Sequence, residues 1–240
     1  MKFPVSTITV NILKPYMTGL HLGSYTYLFS NILDHTISRG DTLDLIKKNP
    51  QLYIDGTVSN FINLMGLSPL YYIVVENFLL KNKTVEIELL KAFGIVFIHN
   101  ILFYKLHKTF HEIKSLYFIH RFHHKFIKPI PSNGNSVSII EYNIAYILPF
   151  LVGALIFNPN SITFQLAIGI ISFLNSLVHC PPLRNIRLFP LLVVPNDHLV
   201  HHEKLTSKFA SPLLNVDFIS NKMKNIFYNK KDEYKNTYGI

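Results

Sequence analysis

The sequence predicts an all-α integral membrane protein with two transmembrane helical hairpins and a helical cap on one side of the membrane. Hydrophobic residues make up 49% of the 240 residues, whereas charged residues make up only 15%. Soluble domains carry about 25% charged residues, so this deficit indicates a chain that is partly embedded in lipid. In addition, four apolar segments are each near the length that crosses about 30 Å of hydrocarbon.

Residues 1–56 are predicted to form an N-terminal helix and a polar connector. Residues 16–33 are apolar but interrupted by polar side chains, so we expect a helix that lies in the membrane interface or packs on other helices. Residues 34–56 form the connector, with Asp41 as a candidate helix N-cap. Residues 1–15 lack the layout of a cleavable signal peptide.

A membrane domain is predicted over residues 57–220, and it begins with a helical hairpin. Its two spans are residues 60–80 and 89–106. Only the short link Lys81–Glu88 joins them, and a link of that length makes the spans antiparallel neighbours.

A second hairpin follows in the same domain. Residues 138–157 and 161–178 are its spans, and Asn158-Pro159-Asn160 supplies the turn between them. Residues 221–240 are predicted to form a basic C-terminal tail, in which Lys222 and Lys224 could contact anionic headgroups, and a solvated, partly disordered end suits this composition at least as well.

Histidines are concentrated in three clusters. His107 and His111 are four residues apart, so on a helix their imidazoles lie side by side on one face. In His120–His124 three histidines fall within an arc of about 100° on a helix. The same His-x-x-His-His pattern is repeated in His198–His202. Nine of the twelve histidines lie in or beside these clusters: His107, His111, His120, His123, His124, His179, His198, His201 and His202.

Metal binding is the interpretation that best explains this crowding of imidazoles. Burial of many polar rings at a membrane surface is costly unless a partner compensates it. Imidazole binds iron, zinc, copper and nickel, so the ligand type alone does not choose the metal. Nine candidate ligands exceed what one tetrahedral zinc uses, and they fit two ions. The isolated His21, His35 and His99 are expected to be hydrogen-bonded core or boundary residues.

The two hairpins place all three clusters on one face of the membrane, because two crossings separate the early clusters from the last one. The loops on that face are basic, so the positive-inside rule places it in the cytosol. The net charge of +9 is explained in the same way, since no nucleic-acid-binding motif accompanies it. The single cysteine, Cys180, excludes an internal disulfide and is expected to serve packing.

This pattern resembles the membrane fatty acid hydroxylase and sterol desaturase superfamily, whose members are histidine-ligated di-metal oxygenases. The likeness extends over about residues 100–220. The spacing of three clusters is specific, whereas a single cluster would be weak evidence. The matching stretches are Asn100-Ile-Leu-Phe-Tyr-Lys-Leu-His107-Lys-Thr-Phe-His111, His120-Arg-Phe-His123-His124, Ser138-Ile-Ile-Glu141, His179, His198-Leu-Val-His201-His202 and Ser211-Pro-Leu-Leu-Asn-Val-Asp217.

The chain departs from the family pattern at four positions without losing a histidine. Members commonly have Asp, Trp, Arg and His where this chain has Asn100, Lys105, Lys108 and Ser138. Asn can hydrogen-bond an imidazole but brings no negative charge, which lowers ligand basicity. We therefore expect a retained metal site, with the level of activity left open.

Three residues outside the clusters are expected to hydrogen-bond the ligands and orient them. They are Asn100, Glu141 and Asp197. Glu141 is the only charge early in a membrane helix, so capping the helix or reaching toward the headgroups suits it equally well.

The resemblance implies a membrane-bound non-haem di-iron oxygenase that hydroxylates, or desaturates, a fatty acyl or sterol-type lipid with O2. Two iron ions are implied, and zinc could replace them in a purified sample. No flavin, haem or nicotinamide motif is visible, so electrons are expected from a cytochrome b5-type protein or a ferredoxin. The implied location is the endoplasmic reticulum in a eukaryotic cell or host. The alternative is a non-catalytic membrane protein that binds zinc structurally.

Overall fold

The computed structural model describes residues 5–80 and 86–226, with side chains from residue 12 onward. Within these ranges the only strand-like pairing is a single antiparallel bridge between Leu192 and Leu214, so the all-α class is confirmed. Residues 216–226 form a C-terminal helix. The other helices are α1 (Val5–His35), α2 (Arg39–Lys48), α3 (Pro50–Phe78), α4 (Leu89–Glu112), α5 (Tyr117–His120), α6 (Ile139–Phe157), α7 (Ser161–Val178) and α8 (Pro195–Lys204).

The four predicted spans correspond to α3, α4, α6 and α7, which are long and apolar enough to cross a membrane. The turns of the two hairpins meet at the end of the bundle far from the histidines. There the Asn160 side-chain amide donates to the carbonyl of Glu86 over 2.6 Å, and the amide of Glu88 donates to Thr163 Oγ1 over 2.9 Å. Both predicted hairpins are therefore present, although residues 81–85 of the first link lie outside the described ranges.

Two of the spans are widened by a π-helical turn. These turns cover Ile62–Leu67 in α3 and Tyr142–Ile147 in α6, and in each helix a proline lies two residues beyond the turn. Proline has no N–H to donate to the preceding turn and its ring clashes with it, which explains a local change of helical pitch. The two widened helices meet where Ser68 Oγ and the Tyr142 hydroxyl are 2.7 Å apart.

The N-terminal helix α1 runs antiparallel along α3. Gly19 faces Pro69 and Gly23 faces Leu64, so the residue number rises along one helix as it falls along the other. A Cβ atom on Gly23 would overlap the carbonyl of Leu64, and the two backbones can approach so closely only because glycine has no side chain. The structure thus corrects the interfacial placement of residues 16–33 in favour of the packed one.

The predicted polar connector is largely helical. Helix α2 begins at Arg39 with Ser38 at the N-cap position, so Asp41 lies in the first turn and is not the cap. Ser38 is held there by the buried Cys180 thiol, whose sulfur is 3.2 Å from Ser38 Oγ. Asn49 caps α3 by accepting from the Leu52 amide over 3.1 Å. The predicted division at residue 57 therefore falls inside a helix.

The cap consists of α5, α8 and the segments that connect them to the spans. Its innermost part is the buried loop 130–136, which α1 and α3 hold in place. Asp34 Oδ1 accepts from the Ser132 amide over 3.0 Å, and Ser136 Oγ donates to the carbonyl of Gly56 over 2.9 Å. The N-terminal helices therefore support the cap as well as the spans.

The three isolated histidines lie apart from the clusters. His99 is buried in α4, with its ring centroid 4.3 Å from that of Phe150, whereas His21 and His35 are exposed on α1. Residues 227–240 of the predicted basic tail lie outside the described ranges.

Candidate metal centre

The nine clustered histidines form two adjacent groups at the junction of the spans and the cap. Within each group one nitrogen from every ring lies within 4.8 Å of the others, a spacing that could hold one metal ion. The five-histidine group contains His107, His111, His120, His124 and His201. The four-histidine group contains His123, His179, His198 and His202.

Helical spacing accounts for most members of each group. His107 and His111 on α4 lie four residues apart and face the same ion position, and so do His198 and His202 on α8. His120 and His124 have the same spacing, although α5 ends at His120 and the chain continues as a 3₁₀ turn from His123.

The remaining members belong to a different spatial group from their neighbours in the sequence. His123 leaves its sequence neighbours and joins the four-histidine group, while His201 joins the five-histidine group. The expectation that each triad presents one face is therefore wrong in detail, because each triad supplies both groups. His179, at the end of α7, completes the four-histidine group.

Backbone carbonyls accept from the outward-facing nitrogens of four rings. His107 Nδ1 lies 2.8 Å from the carbonyl oxygen of Phe209, and His201 Nδ1 lies 2.9 Å from that of Ser207. A carbonyl oxygen can only accept, so Nδ1 carries the proton and the inward-facing Nε2 has a free lone pair. The other two acceptors are the carbonyl oxygens of Asn175, for His179, and of Phe126, for His202.

The inward nitrogens approach each other in a way that calls for a cation. His201 Nε2 is 3.0 Å from His107 Nε2. In both rings the single N–H proton is on Nδ1, which faces a carbonyl oxygen, so neither Nε2 atom carries a proton. Two lone pairs at this distance repel each other unless a positive charge lies between them. The arrangement therefore fits a metal ion bound by the Nε2 atoms.

Protonation of the rings does not provide that charge at neutral pH. Burial lowers the pKa of His179 to about 4, and it lowers the pKa of His201 to about 4 as well. Burial, together with the neighbouring imidazoles, holds the pKa of His198 and His202 well below the ordinary value. These rings are neutral at pH 7, which is the state in which imidazole binds metals.

A buried carboxylate lies behind the five-histidine group. Glu141 Oε1 is 2.5 Å from His120 Nδ1, and both side chains are about 1% exposed. Ser138 caps the helix that carries Glu141, because its hydroxyl accepts from the Glu141 backbone amide over 3.1 Å. Glu141 therefore hydrogen-bonds a candidate ligand, and the position that caps the helix belongs to Ser138.

The other two expected supporting residues bind elsewhere. Asn100 Oδ1 accepts from the amides of Leu213 and Leu214, so it holds the segment after the last cluster. Asp197 pairs with Lys208 over 2.6 Å. Neither side chain is seen to hydrogen-bond an imidazole within the described part of the chain, because each contacts the segment 208–215, which runs from α8 of the cap to the middle of α4.

Sequence reasoning missed the four carbonyl acceptors of Phe209, Ser207, Asn175 and Phe126. Every residue has a carbonyl group, so no residue type marks these positions. Their role depends on the path of the backbone past each ring.

Comparison with protein families supports the resemblance seen in the motifs. The family model described as fatty acid hydroxylase matches residues 92–221, which is more than half of the chain and includes all nine clustered histidines. Neither the curated proteins nor the solved structures contain a match.

Proposed function

Because the chain belongs to the fatty acid hydroxylase family, we propose that it is a membrane-bound oxygenase that uses two iron ions to hydroxylate, or desaturate, a lipid. The observation that carries this proposal is the pair of buried, all-histidine groups at the cap end of a bundle of four apolar helices. In such a site the ions would activate O2 for attack on an unactivated C–H bond.

The residues of the chain form a buried, preorganised binding site for the two ions. The five-histidine group would bind one ion and the four-histidine group the other, through neutral imidazoles that leave the ions a high net charge. Eight of the nine rings are buried, and His111 is half-buried. Exclusion of water protects a strong oxidant from side reactions.

An apolar cavity between α1, α3, α6 and α7 is an argument that the substrate is a lipid. Its walls carry aromatic and aliphatic side chains such as Tyr72, Phe150 and Ile168, and its polar end is formed by Asn135 and Asn175. The carbonyl of Asn175 accepts from His179, which is a member of the four-histidine group. The polar end of the cavity is therefore in direct contact with that group. An acyl chain in this cavity would approach the centre from within the bilayer.

Hydroxylation also requires an electron donor. Insertion of one oxygen atom from O2 into a C–H bond reduces the other oxygen atom to water, with two electrons and two protons consumed. A small acidic protein of the cytochrome b5 type or a ferredoxin fits the exposed basic residues Arg121, Lys125 and Lys128 on the cap. The proposed location is the endoplasmic reticulum membrane with the cap in the cytosol, as the positive-inside rule favours.

The proposal is tested with purified, iron-loaded protein in lipid vesicles, supplied with O2 and a reduced donor. We expect a hydroxylated or desaturated lipid by mass spectrometry, at a rate that falls at high salt because the donor encounter is screened. The variant His198→Ala should lose the product, whereas His35→Ala, which changes an exposed histidine outside both groups, should retain it.

Two results would contradict this function. Iron-loaded protein that accepts electrons from no donor, together with an unchanged lipid profile in cells that express it, would make the histidine groups structural. Tight binding of zinc with no exchange for iron would lead to the same conclusion.

A further inference from the structure

An exposed apolar surface on the cap has no role in the proposed reaction. Its five side chains are between 38% and 66% exposed, and Phe189 is the most exposed of them. Contiguous exposed apolar surface commonly marks a contact with a membrane or another protein. We call this surface the apolar rim, and it consists of Ile186, Leu188, Phe189, Leu191 and Phe218.

The depth of the rim follows from a neighbouring segment that hydrogen-bonds α4. Asn100 lies near the middle of α4 and accepts from the amides of Leu213 and Leu214. Asn100 precedes His107 by seven residues, which places this contact about 10 Å further from the cap than the metal centre. Leu213 also packs against an apolar core cluster of the spans that includes Val96. The segment around Leu213 therefore lies beside a span, within the depth of the bilayer.

The rim is joined to this segment. The amide of Val193 donates to the carbonyl of Leu213 over 2.8 Å, and the amide of Asn215 donates to the carbonyl of Leu191 over 2.8 Å. Leu191 thus lies beside Asn215, whose side chain reaches Asp197 of α8 over 3.4 Å, so the rim is on the cap side of Leu213. At this boundary between cap and bilayer the exposed rim side chains would face the lipid.

Basic side chains lie next to the rim. Arg184 and Arg187 line a surface pocket together with rim residues, and Arg184 is paired there with Glu203 over 2.9 Å. Arg187 is exposed to solvent, and so are Lys222 and Lys224 on the C-terminal helix. Basic residues next to inserted apolar side chains are complementary to the phosphate groups of anionic lipids.

We propose that the apolar rim is inserted into the leaflet on the cap side of the membrane and that Arg187 binds the phosphate group of a phospholipid there. This surface would give the cap a second attachment to the bilayer besides the four spans. The proposal requires the spans but not the oxygenase activity, so either can fail without the other.

The test uses full-length protein in which Cys180, the one cysteine, is replaced by alanine. A fluorescent probe is attached at Phe189→Cys, and the matched control carries it at Ile127→Cys, which is 61% exposed on a loop beside basic Lys125 and Lys128. Both proteins are placed in phosphatidylcholine vesicles, with and without phosphatidylserine. Brominated acyl chains and aqueous iodide then serve as quenchers from the two phases.

We expect the Phe189 probe to be quenched several-fold more by brominated lipid than by iodide, and the Ile127 probe to show the reverse. Phosphatidylserine should protect the Phe189 probe further from iodide, and Arg187→Glu should abolish that gain while Lys125→Glu leaves it. Equal iodide quenching at both positions would overturn insertion. Shielding of the probe from both quenchers, together with disulfide-linked dimers of the unlabelled Phe189→Cys protein, would assign the rim to a second copy of the chain and also overturn it.

Discussion

The two histidine groups use the same ligand type but differ in how the chain supports them. The five-histidine group contains the half-buried His111 and has a carboxylate, Glu141, behind His120. The four-histidine group is buried throughout, and the outward nitrogens of His179 and His202 donate to the backbone carbonyls of Asn175 and Phe126. A carboxylate partner raises the basicity of an imidazole more than a neutral carbonyl does.

This difference shows that ligand number and supporting charge are distributed unequally between the groups. The five-histidine group offers one imidazole more than the other group, and it has a buried carboxylate beside His120. In the four-histidine group His179 and His202 are held by neutral carbonyls. We therefore expect the two positions to respond differently to substitution.

The largest effect is expected from removal of a ligand in the four-histidine group. His198→Ala removes one of only four ligands, so affinity at this group should fall and the metal content of carefully washed protein should drop from about two ions per chain toward one. His111→Ala leaves four imidazoles in the other group, and the protein should keep both ions. Metal analysis of carefully washed protein measures both, and equal losses in the two variants would remove the proposed difference.

A smaller effect is expected from removal of the supporting charge. Glu141→Gln retains an oxygen that can accept from His120 Nδ1 but removes the negative charge, so affinity at the five-histidine group should fall about 10- to 100-fold. The measurement is a competition with a chelator in the His198→Ala background, where only that group is occupied.

The matched control for this substitution is Asp197→Asn. It removes a carboxylate that pairs with Lys208 and does not bond an imidazole in the structure. An equal loss of affinity in this control would show that overall charge, and not the contact with His120, supports the ion.

The smallest effect is expected at Asn100, which acts on the five-histidine group from a distance. Its side-chain oxygen holds the segment that follows Phe209, whose carbonyl accepts from His107. Asn100→Ala leaves two backbone amides without this acceptor, so stability should fall by about 1–3 kcal/mol. Thermal unfolding in detergent measures this loss.

Asn100→Asp retains an acceptor at the same position and should lose less stability than Asn100→Ala. A comparable loss in both variants would mean that the two amide contacts contribute little. The donation from Asn100 Nδ2 to the carbonyl of Val96, which both variants remove, would then be the main contribution.

Much of the fold follows from local patterns in the sequence. Apolar length predicts the four spans, and short links predict the two hairpins, because both depend on residues that are close in the chain. The same holds for the chelating pair His107 and His111, whose spacing on a helix brings the rings together. The placement of α1 is different, since it depends on glycines that meet a distant helix.

The sequence by itself determined the ligand inventory of the candidate centre: eight histidines in three clusters and the isolated His179. Only the tertiary structure decided how these residues are divided. His123 and His201 leave their neighbours because the chain turns after His120 and because α8 presents two faces to two ion positions. The carbonyl partners and the contacts of Asn100 were decided in the same way. Helical periodicity describes one element at a time, whereas a metal centre is built where several elements meet.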